Sequence, residues 1–296
     1  MDEKTKELFA KIHRIEITTT QLVEDLFAGA YRSVFKGRGL EFEDVRPFQT
    51  GDDVRTVDWN VTARYGYPFV KTFTEERQLT VMLLVDRSAS LRFGSVNQSK
   101  QDLVAEVSAL LGFSAIKNHD RVGLILFTDR VELYIPPKNG TRHLLRIIEE
   151  ILTFKPAGKG TDIKEALSFL SKVQTKAAIC FLLSDFIVTG KFEREMKIAS
   201  KRHDCIAVSI HDPLERHIPD VGLVSVQDLE SDQKTVVDFS DIHTQETFRR
   251  QVEKRRMKTF SLMKRVKAGY VELETGQPYN IAIKNYFAMR EANKWR

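Results

Sequence analysis

The chain has 296 residues, of which 42% are apolar and 29% are charged. This apolar content excludes a chain that is mainly disordered, and a length of about 150 residues per domain predicts two structural units. The two cysteines, Cys180 and Cys205, each lie in an apolar run, which excludes a disulfide scaffold and indicates a reducing compartment. Apolar runs fall short of the roughly 18 to 20 residues of a membrane span, so we expect a cytoplasmic protein.

In the N-terminal part of the chain, the pattern of apolar and charged residues changes near residue 36. Residues 1–35 have helical spacing of apolar side chains, with an interruption predicted at Thr18–Thr20. Residues 36–78 carry many charges and glycines and have weak periodicity. We therefore expect a small N-terminal lobe with few regular elements.

From Leu79 onward, buried strands alternate with amphipathic helices. Strands are predicted at 79–85, 122–127, 131–135, 177–183 and 205–210, and helices at 99–117, 142–152, 163–173 and 244–267. The strand at 131–135 is expected to end at Pro136-Pro137. This order predicts the α/β fold class: a doubly wound, mostly parallel sheet flanked by helices, with a small extra lobe from the N-terminal segment. Such sheets bind ligands at the carboxyl ends of their strands.

Oxygen-bearing side chains lie in three loops at one face of the predicted sheet. Asp86, Ser88 and Ser90 directly follow the first buried strand, Thr161 precedes a helix, and Asp185 ends the strand at 177–183. Side chains of this kind suit a hard divalent cation such as Mg²⁺ or Mn²⁺. The alternative is that the serines and the threonine only cap turns and helices.

These five residues resemble the metal-ion-dependent adhesion site (MIDAS) of von Willebrand factor A domains, over roughly residues 79–226. The resemblance implies that Ser88 and Ser90 bind the metal directly and that Thr161 and Asp185 do so directly or through water. It also implies an open coordination position for an acidic residue of a partner protein. Ala89 departs from the glycine common in that family, and Arg87 is unusual beside a cation.

A charged segment precedes the sheet. Seven charged residues within 21 positions suit either a rigid salt-bridged lobe or a partner-binding groove, and Trp59 is expected to anchor packing in either case. The charged residues are Asp44, Arg46, Asp52, Asp53, Arg55, Asp58 and Arg64. This segment resembles the signature of the bacterial family called domain of unknown function 58 (DUF58), in which a von Willebrand A-like domain is embedded. Members of that family are typically found beside MoxR-type AAA ATPases, which implies a chaperone-like role with such a partner.

The resemblance and the patterning together predict three parts. These are a helical and charged lobe at 1–78, a von Willebrand A-like domain at 79–230, and a C-terminal strand, basic helix and tail at 231–296. The net charge of +5 is concentrated in the last part, where residues 243–296 carry a net charge of +8. The basic helix suits a docked amphipathic helix or a contact with an acidic partner, and its few aromatic residues argue against nucleic acid.

Three other kinds of site have little support. Gly158-Lys159-Gly160-Thr161 does not complete a Walker phosphate loop, because no glycine stands five positions before Gly158. His203, His211 and His217 lack the tight spacing of a zinc site, and no hydrolase nucleophile motif occurs. The function expected is therefore a non-enzymatic, metal-dependent protein-interaction module. The alternatives are a metal-dependent phosphoester hydrolase and a scaffold whose metal site is unused.

Overall fold

The structure is a computed structural model that describes residues 3–23, 41–74, 78–188, 190–216, 218–227, 229 and 233–294. The described residues of 1–34 and 80–296 form one compact unit, and those of 35–79 form a second. These units differ from the predicted parts 1–78, 79–230 and 231–296. The first helix groups with the sheet because it packs on another helix of the large unit, where Lys11 donates to Asp102.

The small unit is built on a two-stranded antiparallel sheet. Strand β1 (Glu41–Pro47) pairs with β2 (Phe69–Thr74). Between them lie a 3-10 turn (Val54–Thr56) and the short helix α2 (Trp59–Tyr65). Such short elements leave little periodicity in the sequence, which is why the sequence predicted none of them.

The large unit begins with α1 (Glu3–Leu22) and continues after the small unit. Its further elements are β3 (Thr80–Asp86), a 3-10 turn (Ala89–Arg92), α3 (Lys100–Lys117), β4 (Arg121–Phe127), β5 (Val131–Lys138), α4 (Thr141–Thr153), α5 (Ile163–Val173), β6 (Ile179–Ser184), α6 (Glu193–Arg202), β7 (Asp204–His211), α7 (Pro213–Arg216), β8 (Leu223–Gln227), β9 (Lys234–Asp238), α8 (Ile242–Val266), β10 (Gly269–Glu274) and α9 (Tyr279–Lys294).

Six strands form the central sheet in the order β10-β7-β6-β3-β4-β5. All neighbouring strands are parallel except β4 and β5, and β8 and β9 form a separate hairpin. Residues 81–85 of β3 are fully buried, as expected for a parallel strand covered on both faces by helices. The prediction of a mixed α/β unit with a mostly parallel sheet is confirmed.

Two local predictions are wrong. Helix α1 continues through Thr18–Thr20, where the Thr19 hydroxyl donates to the Ile15 carbonyl at 2.6 Å. This bond gives the buried Thr19 hydroxyl a partner within the helix, so the polar group is satisfied without interrupting it. Strand β5 does not end at Pro136 but runs to Lys138. It lies at the sheet edge, where a proline's missing N–H leaves no ladder bond unmade.

Two further helices match the predictions, and two other elements were not predicted. Helix α3 begins after Ser99, which forms a capping box with Asp102, as its sequence predicts. Helix α8 matches the predicted basic helix. Helix α6 and strand β10 were not predicted. In the described residues, no helix is both long and apolar enough to cross a membrane.

Candidate metal centre

The candidate site lies where the strand order of the sheet reverses. The chain leaves β3 towards β4 on one side and later returns to β6 on the other. Because β3 and β6 are parallel neighbours, with Val85 opposite Leu183, the segments after both strands begin side by side. This is the position at which open α/β sheets bind ligands.

Asp86, the last residue of β3, is fully buried. Its carboxylate accepts hydrogen bonds from the Ser88 amide at 2.8 Å and from the Ser184 hydroxyl at 2.6 Å. Burial and the nearby Asp185 charge raise the pKa of Asp86 to about 7, against the lowering effect of these hydrogen bonds. A bound cation would relieve the repulsion between the two carboxylates.

Ser88 and Ser90 face each other beside these carboxylates. Their Oγ atoms are 3.1 Å apart. The Ser88 side chain lies close enough to Asp86, and the Ser90 side chain close enough to Asp185, to lower the pKa of each carboxyl. The two serine hydroxyls are hydrogen-bonded to each other, and either can be the donor. The two hydroxyls therefore meet beside the two carboxyls.

Asp185, directly after β6, is paired with a buried lysine. The Lys100 ammonium lies 2.7 Å from Asp185 Oδ2 and 2.5 Å from Glu215 Oε1. The Asp185 and Lys100 side chains are both 0% exposed. Burial alone would raise the pKa of Asp185, but Lys100 and the amide of Ile187 lower it below its ordinary value. Asp185 is thus held as a carboxylate.

Glu215 is held by a second group of bonds at the carboxyl end of β7. Its Oε2 accepts a bond from the Asp212 amide at 3.1 Å. The buried Asp212 carboxylate accepts bonds from the Ser95 amide and the Thr275 hydroxyl, both at 2.8 Å. Helix α7 begins at Pro213, directly after Asp212, and it places Glu215 against Lys100.

Thr161 lies in a loop that two backbone bonds fix beside the site. The Ala89 amide donates to the Lys159 carbonyl at 2.9 Å, and the Asp162 amide donates to the Thr128 carbonyl at 2.8 Å. Thr161 is half-buried. The structure thus brings Asp86, Ser88, Ser90 and Asp185 together at one edge of the sheet and ties the Thr161 loop to the same segment.

Arg87 points away from the carboxylates. Its Nη2 donates to the Phe154 carbonyl at 2.8 Å, and burial lowers the pKa of the guanidinium to about 10. An arginine between Asp86 and Ser88 is therefore compatible with a cation site, because its charge is turned towards the loop after α4.

The donor set fits a small divalent ion. Octahedral Mg²⁺ binds oxygens at about 2.1 Å, which places neighbouring ligands about 3.0 Å apart. The observed separation of 3.1 Å between the two serine oxygens agrees with this value. Among the described residues, no group of three or more His, Cys, Asp or Glu side chains is arranged to hold a metal. The candidate site instead combines two carboxylates with hydroxyls.

Three residues of the site were missed from the sequence: Ser184, Lys100 and Glu215. Of the three, Lys100 could have been noticed in the sequence. A positive charge in the first turn of a helix is disfavoured by the helix dipole, so its presence there indicates that nearby groups stabilise it. Glu215 follows β7, the next strand of the sheet, and Ser184 precedes Asp185. Their partners lie about a hundred positions away in sequence, so their pairing depends on the strand order.

The small unit uses its charges mainly in local bonds. Arg46 makes two bonds of 2.7 Å to Asp52, and Asp53 and Asp58 accept bonds from backbone amides at the starts of short helical turns. Arg55 and Arg64 are exposed, and the side chain of Asp44 lies outside the described residues. Trp59 is 68% exposed, so it does not anchor packing within the described part of the chain.

Of the three histidines considered for a zinc site, the structure describes His203 and His211. Neither ring nitrogen of buried His203 has a hydrogen-bond partner in the described part of the chain. His211 Nε2 lies 2.9 Å from Ser209 Oγ. His217 lies outside the described residues.

Comparison with known proteins identifies a family but no activity. The family model described as "Protein of unknown function DUF58" matches residues 44–258. The chain is 31% identical over 226 residues to the uncharacterized protein Rv1480 of Mycobacterium tuberculosis and, equally, to the uncharacterized protein Mb1516 of Mycobacterium bovis. The match covers 76% of this chain and 71% of each relative.

The matching solved structures include two from Bacteroides species. BatB from Bacteroides thetaiotaomicron is 19% identical with a TM-score of 0.45, covering 72% of this chain and 99% of that one. An aerotolerance-related membrane protein from Bacteroides fragilis is 14% identical with a TM-score of 0.47, covering 73% and 99%. Both scores are below 0.5, so these likenesses carry no argument here.

Proposed function

Because the chain belongs to the DUF58 family, whose function is unknown, we propose a function from its site: a divalent-metal-dependent protein-interaction module. Asp86, Ser88, Ser90, Thr161 and Asp185 form the metal site. The observation that carries the proposal is the serine pair, whose oxygens are 3.1 Å apart beside the buried carboxylates of Asp86 and Asp185.

The residues themselves determine how a partner would be recognised. Asp86 fixes Ser88 through its backbone amide, and the Ser88 hydroxyl is hydrogen-bonded to that of Ser90. A bound Mg²⁺ or Mn²⁺ supplies a Lewis-acidic positive charge at the serine oxygens. Because these ligands come from one edge of the sheet, an acidic side chain of a partner would approach from beyond the strand ends. The von Willebrand A-type fold and this adhesion-type role are supported by the residue pattern and the strand order.

The partner class is proposed from the DUF58 resemblance. We assign a MoxR-type AAA ATPase, or a client protein of such an ATPase, as the source of the carboxylate. The chain then acts as a non-enzymatic adaptor with a chaperone-like role. The small unit, which uses several of its charges in its own bonds, is assigned a structural role.

A capture experiment tests this function. A purified MoxR-type ATPase from the same organism is mixed with the immobilised full chain in Mg²⁺ or in a chelator. We expect capture in Mg²⁺, release by the chelator, and at least about a tenfold loss of capture in a variant carrying Ser88→Ala and Ser90→Ala, because two metal ligands are removed.

The matched control carries Ser171→Ala and Ser200→Ala, two serines of α5 and α6. It should capture like the wild type. Equal capture by the folded Ser88/Ser90 variant would contradict the proposal, and metal-dependent turnover of a phosphoester would favour the hydrolase alternative.

A further inference from the structure

Lys100 is a buried charge that the proposed adhesion-type site does not account for. It is the first residue of α3, and its side chain is 0% exposed. Burying an ammonium group costs free energy unless carboxylates and hydrogen bonds compensate it. Asp185 and Glu215 provide that compensation from the ends of β6 and β7.

The position of Lys100 matters because one of its partners is a proposed metal-site residue. Asp185 Oδ2 is bonded to Lys100, and Oδ1 accepts a bond from the Ile187 amide. The Ser90 side chain lies close enough to the same carboxylate to lower its pKa. A divalent ion at the serine oxygens must therefore share the negative charge of Asp185 with an ammonium that is already in contact with it.

The charges of the described site can be counted. Asp86, Asp185 and Glu215 contribute three negative charges when ionised, and Lys100 contributes one positive charge. Arg87 is directed to the Phe154 carbonyl. An incoming divalent ion therefore meets a weaker negative field than the three carboxylates alone would produce, and it is repelled by the ammonium.

We propose that Lys100 is a built-in competitor of the metal: it neutralises Asp185 in the metal-free protein and lowers the affinity of the site for a divalent ion. This inference rests on the proposed function. Its consequence is that the metal and a partner's carboxylate bind cooperatively. The metal supplies positive charge for the carboxylate, and the carboxylate supplies negative charge for the metal. Each therefore raises the affinity of the protein for the other by the same factor.

The test compares the Mg²⁺ affinity of the full chain with that of Lys100→Met and Lys100→Arg by calorimetric titration. Methionine keeps most of the side-chain length without the charge, and arginine keeps the charge. We expect Lys100→Met to bind Mg²⁺ about tenfold or more tightly than the wild type, and Lys100→Arg to bind within about threefold of it. Lys11→Met is the matched control, because Lys11 also pairs with a carboxylate of α3, and its affinity should equal that of the wild type.

Melting temperatures separate competition from a purely structural role. Lys100→Met leaves Asp185 and Glu215 without their ammonium, so its metal-free melting temperature should fall. Saturating Mg²⁺ should then raise the melting temperature more in Lys100→Met than in the wild type, by mass action. A lowered melting temperature with unchanged Mg²⁺ affinity would overturn the inference.

Should Lys100→Met not fold, the wild type still provides a test. The ¹³Cε–¹⁵Nζ signal of Lys100, assigned by its loss in Lys100→Arg, should shift as Mg²⁺ saturates the site, and that of Lys11 should not. Saturation without a shift at Lys100 would overturn the inference.

The outcomes distinguish this inference from the proposed function. If the wild type binds Mg²⁺ through Ser88 and Ser90 but Lys100→Met binds equally well, the inference fails and the proposed function stands. If neither protein binds Mg²⁺, both fail.

Discussion

In two buried side chains, Asp86 and His203, the pKa is shifted in the direction that favours the neutral form. Burial raises the pKa of Asp86 to about 7 and lowers the pKa of His203 to about 4. In both cases the charged form is disfavoured because it loses its hydration. The difference lies in their surroundings, since Asp86 has hydrogen bonds from Ser88 and Ser184 and the His203 ring has no partner in the described residues.

His203 predicts a loss of stability in mild acid. Its pKa is about 4 in the folded chain and about 6.5 in an unfolded one. As the pH falls from 6.5 towards 4, the unfolded state binds a proton that the folded state does not, so the free energy of unfolding decreases. We expect His203→Leu to remove about 2 kcal/mol of that decrease between pH 7 and pH 4.5.

Urea unfolding at several pH values measures this effect. His13→Gln is the control, because His13 is exposed, and it should keep the wild-type slope. His211, with its pKa also lowered to about 4, leaves a residual slope in the His203 variant. An unchanged pH dependence in His203→Leu would contradict this assignment.

At this scale, the sequence predicted the candidate ligands but not their electrostatic partners. Asp86, Ser88 and Ser90 are adjacent in sequence after an apolar run, so their convergence follows from one strand end. Lys100, Asp185 and Glu215 come from three separate elements. Their contact requires β3, β6 and β7 to be neighbours, and local sequence does not specify that order.

At the scale of elements, the loop between α4 and α5 fixes one side of the candidate site. Gly158 lies there, and its amide donates to Glu132 Oε1 at 2.8 Å. A Cβ atom at this position would lie 2.1 Å from Asp129 Oδ1 and 2.3 Å from Thr128 Oγ1. The loop that carries Thr161 therefore requires a glycine for its close approach to the end of β4.

Gly158→Ala should displace this loop. We expect the free energy of unfolding to fall by about 1 to 3 kcal/mol, because the added methyl group overpacks the contact. We also expect weaker Mg²⁺ binding, because Thr161 moves with the loop. Gly190→Ala is the control, since no atom lies within 4 Å of its added Cβ. Equal stability and metal affinity in the two variants would contradict the role given to Gly158.

Periodicity predicted the long elements well and the short or edge elements poorly. Strands β3, β4, β6 and β7 are continuous apolar runs because helices cover both sheet faces. Strand β10 lies at the sheet edge and is only partly buried, so its signal is weaker. Helix α6 has only Met196 and Ala199 buried, which left no recognisable apolar stripe.

For the whole molecule, chain order and spatial grouping differ. Helix α1 precedes the small unit in sequence, yet it belongs to the large unit with the sheet. Its charged contact with α3, from Lys11 to Asp102, spans 91 positions, and no local pattern predicts such a contact. The alternation of strands and helices after Leu79, by contrast, was sufficient to predict the fold class.

Metal binding at the end of β3 is tested by calorimetric titration of Mg²⁺ into metal-stripped protein. The full chain is compared with Asp86→Ala, which removes the carboxylate that accepts the Ser88 amide. We expect saturable binding of one ion by the wild type and at least about a tenfold loss of affinity in the folded variant. Binding of equal strength in both proteins, or none in the wild type, would contradict this expectation.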